Sequence, residues 1–189
     1  MIETFKPPFI FWTEIPNHKQ IKEKYLPQIK KSFEENKESM VVSRWNCEDS
    51  YSSIDVSTPF LRETEFADSV IWDPLDQMLS EVDICQYPIE SELSNIWFNY
   101  YVKSGYQEVH IHDGANFPSF SGIYLMDVNE PNTTGFIVMD QIHYLNSTIL
   151  TKDIKEGSVV LFPSNLPHYV NPVKDNRHTV SFNIISKFK

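Results

Sequence analysis

Cysteine is nearly absent from this chain of 189 residues: Cys47 and Cys85 are its only two, and no CxxC pair occurs. A disulfide-dense scaffold is therefore excluded, and the simplest expectation is a reduced, cytoplasmic chain, with one bridge between the two as the alternative. Positive charge is also scarce. A formal net charge of -10 argues against broad affinity for nucleic acid or an anionic membrane, because phosphate binding needs a basic footprint. A local basic pocket for a small acid stays open. No apolar run approaches the roughly 18 residues needed to span a bilayer. The opening "MIETFKPPFIFWTEIP" has no basic start, long apolar stretch or small-residue cleavage site, so no membrane association and no processing are expected. Glycine is sparse and one-sided, all five lying between Gly105 and Gly157.

What is present is a packed-globule composition, 41% hydrophobic and 14% aromatic, rather than a disordered one. The length suits one domain with one substantial core, and no repeat or linker divides it. The expectation is a single domain over 1–189, with a helix-containing part at 1–88 and a β-core at 89–189.

In "NHKQIKEKYLPQIKKSFEENK", Ile21, Tyr25, Ile29 and Phe33 recur every four residues. That spacing predicts an amphipathic helix with Asn17 as its cap and a kink at Pro27. "DPLDQMLSEV" predicts a second, with Asp73 as N-cap, Pro74 at the first helical position and Leu75, Met78, Leu79 and Val82 on one stripe. After Pro88 the pattern turns to short β-branched or aromatic runs: "NIWFNYYV", "QEVHI", "SGIYLMDV", "GFIVM", "SVVLF" and "HTVSFNIIS". Helices first and strands afterwards predict an α+β, mainly β fold, a sandwich or barrel with helices packed on one face. The turn-rich stretch at 41–60 precedes the β-core and reads either as a lid over its mouth, contacting substrate, or as a packed loop.

Chemistry concentrates in "HIHD". Strand alternation puts Glu108, His110 and His112 on one face, with Val109, Ile111 and Asp113 on the other. Two imidazoles so placed are close enough to share an ion, or are a hydrogen-bonded pair on a strand edge. His168, in "GSVVLFPSNLPHYV", is a third candidate ligand that a β-core would return to the same place. His18, His143 and His178 read better as surface or satisfied histidines. In the last strand Arg177, Thr179, Ser181 and Asn183 alternate with His178, Val180, Phe182 and Ile184. One face is thus wholly polar, pointing to solvent or into a polar cavity. An arginine followed by hydroxyls two and four residues on suits the grip of a carboxylate.

The series "HIH", "SGIYLMDV", "GSVVLFPSNLPH" and "RHTVSFNI", in this order from about Trp97 to Ile184, resembles the iron(II)- and 2-oxoglutarate-dependent oxygenases. The likeness is greatest to a small bacterial and phage group among them. The resemblance implies a double-stranded β-helix (jelly-roll, cupin-like) core, Fe(II) as cofactor and 2-oxoglutarate as cosubstrate. It further implies hydroxylation of an unactivated C–H bond of a small-molecule or peptide substrate, using O2 and releasing succinate and CO2. Arg177 would hold the distal carboxylate of 2-oxoglutarate, assisted by Thr179 or Ser181, with Tyr124 and Asn99 as further pocket residues. The chain departs from the wider superfamily in having His112 where histidine-x-aspartate is usual. Three arrangements follow: His110, His112 and His168 as ligands; Asp113 swung in as the second ligand through a bulge; or His112 behind a water. The first is preferred, on the group's shared His-x-His and on strand geometry. Two other functions remain in view: a three-histidine cupin-like metalloenzyme that does not use 2-oxoglutarate, and a non-catalytic jelly-roll module binding through Trp45, Trp72 and Tyr51.

Overall fold

Two antiparallel sheets face each other, and three helical segments cover the outer side of the larger one. A computed structural model describes residues 9–41, 49–82, 88–112, 118–130, 133–139, 146–150 and 153–189. Its strands are β1 (Phe11–Glu14), β2 (Ser50–Ser52), β3 (Ile89–Tyr101), β4 (Gln107–His110), β5 (Phe120–Val128), β6 (Thr134–Met139), β7 (Asn146–Leu150), β8 (Ser158–Pro163), β9 (His168–Val170) and β10 (Arg177–Phe188). The larger sheet runs β1-β8-β5-β10-β3-β2 and the smaller β4-β9-β6-β7. Together with the solved folds compared below, this is the double-stranded β-helix expected from the sequence.

The helices are built as their apolar spacing requires. In α1 (His18–Asn36) the residues Ile21, Tyr25, Ile29 and Phe33 are the buried stripe, and Pro27 lies within the helix. Asn17 occupies the cap position without capping: its amide donates to Ser69 Oγ at 3.1 Å. The second helix differs from expectation. Asp73 is not its start, because α2 (Thr64–Ala67) and α3 (Asp73–Glu81) join through a π turn, Asp68–Trp72. Pro74 has no N–H to return to the preceding turn, and a wider turn carries the chain past it. These helices bury Phe66, Val70, Ile71, Leu75 and Met78 against the outer face of the larger sheet, where Phe98, Tyr124, Val180 and Phe182 also lie. Each such apolar side chain contributes about 1.5–3 kcal/mol of burial.

A second cluster, including Ile123, Leu125, Phe136, Val160 and Phe162, fills the space between the sheets. It leaves the inner faces of β3 and β10 free to line a cavity. Cα pairing sets Asn95 beside Asn183, Trp97 beside Ser181, Asn99 beside Thr179 and Tyr101 beside Arg177. Bulges bracket this patch, between His178 and Thr179 against β5, and between Asn183 and Ile184 against β3. The polar face of the last strand therefore points inward.

Candidate metal centre

His110, His112 and His168 converge at one end of the inter-sheet cavity, with one ligand atom from each lying within 4.8 Å of the others. His110 and His168 are Cα partners across β4 and β9. Their ring centroids are 4.2 Å apart, and His112 stands 5.4 Å from His110 and 5.0 Å from His168. Two rings are held by backbone: His110 Nδ1 donates to the Glu108 carbonyl at 2.8 Å, and His168 Nδ1 to the Leu166 carbonyl at 3.0 Å. A carbonyl cannot donate, so the proton sits on Nδ1 and the lone pair on Nε2, the tautomer a metal needs.

His112, which follows the end of β4, has its Nδ1 2.7 Å from both Ser121 Oγ and Asn183 Oδ1. Burial, with the neighbouring histidines adding to it, pushes the His168 pKa well below its usual value, and burial lowers that of His110. Both are thus neutral at neutral pH, the protonation state in which an imidazole ligates a metal. Asp113, the alternative second ligand, lies outside the described residues.

The cavity, of about 330 Å³, runs from this cluster along the β3/β10 floor to Arg177. Arg177 is 2% exposed, and its Nη2 donates to Thr134 Oγ1 at 2.7 Å. Its guanidinium carbon lies 5.2 Å from the Tyr101 ring centroid, and Tyr101 in turn donates to Gln107 Oε1 at 2.7 Å. Two of its donors, Nε and Nη1, are buried without a partner among the described residues, and burial lowers the guanidinium pKa. Asn99 Nδ2 donates to Ser181 Oγ at 3.0 Å, leaving Asn99 Oδ1 unpartnered. The cavity has three imidazoles at one end and a cation with two unused donors at the other. It is suited to a metal ion together with a small organic anion.

Thr179, Ser181 and Asn99 line this cavity with Arg177, but Tyr124 does not. Alternation on β5 sends Ile123 inward and Tyr124 outward, where its hydroxyl lies 2.7 Å from His18 Nδ1 beneath α1. Its expected role in the cosubstrate pocket is therefore corrected. His18 and His178 are also remote from the cluster, the latter stacked on Tyr100 at 4.4 Å. His143 and Trp45 lie outside the described residues. Tyr51 and Trp72 pack against the outer core instead of lining a groove. Within the 41–60 stretch, Ser53 binds Phe98 through backbone and side chain, and Ile54 reaches the cavity.

Sequence reasoning missed Gln107, Thr134, Trp97 and Tyr101. Between Gln107 and His110 a bulge lets both face inward, so Gln107 lines the cavity and Glu108 does not. Trp97 and Tyr101 stand at period two from Asn99, a signal that was available. Thr134 sits on the facing sheet, and nothing local marks it.

Residues 95–183 match the family described as "Putative 2OG-Fe(II) oxygenase". No curated protein matches the sequence. Among solved structures, HygX of Streptomyces hygroscopicus, with nickel, 2-oxoglutarate and hygromycin B bound, is similar at TM-score 0.62 and 10% identity, covering 94% of this chain and 83% of that one. A Trichoplax adhaerens prolyl hydroxylase in complex with a hypoxia inducible factor peptide gives 0.61 and 13%, with coverage of 93% and 83%. A Pseudomonas putida prolyl-4-hydroxylase gives 0.58 and 11%, with 92% and 91%. At these identities the likeness is one of fold. Among the described residues no helix is long and apolar enough to cross a membrane.

Proposed function

We propose, on the match of residues 95–183 to the family described as "Putative 2OG-Fe(II) oxygenase", that this chain is an iron(II)- and 2-oxoglutarate-dependent oxygenase and that it hydroxylates a C–H bond of a small-molecule or peptide substrate. One atom of O2 goes to the substrate, and the other to 2-oxoglutarate, which leaves as succinate and CO2. In this reading the chain acts as one domain, the helices of 1–88 buttressing the sheet that carries the site.

The residues fit both groups. His110, His112 and His168 would hold Fe(II) through Nε2 as three neutral imidazole ligands. Bound there, the metal supplies the O2 chemistry that side chains cannot perform. Arg177 would bind the distal carboxylate of 2-oxoglutarate through Nε and Nη1, the two donors that the protein leaves unused. Thr134 and the Tyr101 ring hold the guanidinium in place before the ligand arrives, which reduces the ordering required on binding. Thr179 and Ser181 offer hydroxyls along the same floor. Phe162, with its ring 4.7 Å from that of His168, backs the histidines with apolar surface and keeps water from that side. With the Arg177 end closed by cosubstrate, substrate enters at the end bounded by Asn95, Ile54 and Ile111.

One observation carries the reading: a buried arginine with unpartnered donors shares a cavity with three convergent histidines. It also favours 2-oxoglutarate over a three-histidine enzyme without it, in which that cation would have no use. The test is O2-dependent formation of succinate from 2-oxoglutarate by Fe(II)-loaded protein. Turnover is expected in the wild type and its loss in His168→Ala. Absence of succinate from metal-loaded wild type, with or without a substrate panel, would defeat the proposal.

A further inference from the structure

The three histidines are not held alike. His110 and His168 each bind a backbone carbonyl two residues earlier, an arrangement that any side chains would permit. His112 instead depends on side chains. Its Nδ1 is 2.7 Å from Asn183 Oδ1 and 2.7 Å from Ser121 Oγ, and Ser121 Oγ donates to Asn183 Oδ1 at 2.7 Å. Ser164 ties this knot to the loop before His168: its hydroxyl lies 2.9 Å from Ser121 Oγ, and its carbonyl accepts the His112 N–H at 2.9 Å. Asn183, Ser121 and Ser164 are all buried, at 8%, 0% and 2% exposure.

Resting on the reading of these histidines as one metal site, we propose that Asn183 is the positioning residue that makes a histidine usable where the superfamily has a carboxylate. The amide oxygen is an acceptor only, so His112 Nδ1 at 2.7 Å must be the donor. That fixes the proton on Nδ1 and presents the Nε2 lone pair to the metal. The bulge that shifts the β10–β3 register between Asn183 and Ile184 lies beside this contact, and bulges are devices that re-aim side chains. The amide's neutrality matters as much as its position. A carboxylate behind a ligating histidine makes the ring more basic and adds negative charge to the centre. With asparagine there, a divalent ion keeps its full charge and attracts the 2-oxoglutarate dianion more strongly.

Two opposed effects follow, and a merely structural residue would produce neither pairing. The experiment is calorimetric titration of metal-free protein with Co(II), then of each Co(II)-loaded protein with 2-oxoglutarate without O2. Asn183→Leu, which removes the acceptor, is expected to weaken Co(II) binding by about 10–100-fold. Asn183→Asp, which keeps size and acceptor, is expected to bind Co(II) at least as tightly as wild type while binding 2-oxoglutarate roughly tenfold more weakly. Ser121→Ala should fall between wild type and Asn183→Leu in Co(II) affinity. A folded Asn183→Leu that binds Co(II) like wild type would overturn the proposal. So would an Asn183→Asp with unchanged 2-oxoglutarate affinity, and that variant decides the matter if the leucine variant fails to fold. Wild type that takes up no Co(II) would overturn the metal site itself, and the proposal with it.

Discussion

His110 and His168, 58 positions apart in the sequence (168 − 110), are Cα partners on adjacent strands with ring centroids 4.2 Å apart. A strand pairing therefore builds the centre, and removing either ring leaves two ligands. His168→Ala is expected to fold, since the ring it removes is neutral, and to lose stoichiometric metal. Metal analysis after equilibration with one equivalent of Fe(II) or Co(II) checks this; retention equal to wild type would show that His168 is not a ligand.

Arg177 is a buried cation with two unpartnered donors, so in the ligand-free protein it is a source of instability. Arg177→Met is expected to leave the thermal midpoint of ligand-free protein unchanged or raised. The same variant should lose about 10–100-fold in 2-oxoglutarate affinity, the worth of charge-assisted hydrogen bonds. 2-Oxoglutarate at a fixed concentration well above the wild-type Kd should raise the wild-type midpoint and raise that of the variant by clearly less. Melting curves with and without the ligand decide it.

His178 carries a prediction about acid stability. Burial pushes its pKa down to about 4, although Asp127 Oδ2 lies 3.3 Å from Nδ1, a charge contact outside hydrogen-bond geometry. The native state stays neutral where the unfolded chain, with its usual pKa of about 6.5, takes up a proton. Stability is therefore complete above about pH 6.5 and falls as pH drops toward 4, by about 1.4 kcal/mol per unit from this group. His178→Phe keeps the ring stacked on Tyr100 and removes the titration. In urea unfolding of metal-free protein, its loss of stability between pH 7.5 and 5 should be smaller than that of wild type by about 2 kcal/mol. Equal losses would show that His178 is charged in the folded protein.

Gly122, in the "SGIY" stretch, lies directly under Phe182, and a Cβ there would overlap the ring. Phe182 is fully buried and has nowhere to move. Gly122→Ala is expected to cost about 1–3 kcal/mol, read as a lower urea midpoint at constant slope. An unchanged midpoint would mean that the β5–β10 contact is looser than described.

Much of the site is written locally. The four-residue spacing from Ile21 to Phe33 gives the buried stripe of α1, and the alternation from Arg177 to Asn183 gives the cavity floor. What local pattern cannot say is which side of a strand faces which layer when both sides are buried. All residues from Phe120 to Met126 are buried, so nothing in "SGIYLM" told Ile123 from Tyr124. Period two also fails at a bulge: alternation assigns Glu108 to the histidine face, whereas the register shift before His110 turns Gln107 to it. The join of α2 to α3 was hidden because Asp73 and Pro74 carry the chemistry of a helix start while sitting inside continuous helix.

The most direct test is anaerobic calorimetry of 2-oxoglutarate binding to wild type and Arg177→Met, each with and without one equivalent of Fe(II). Tight binding is expected only in wild type loaded with metal, and removal of either the metal or the guanidinium should weaken it by about tenfold or more. Affinity that is the same with and without Fe(II), or the same in both proteins, would contradict a cavity with a metal at one end and an anion grip at the other.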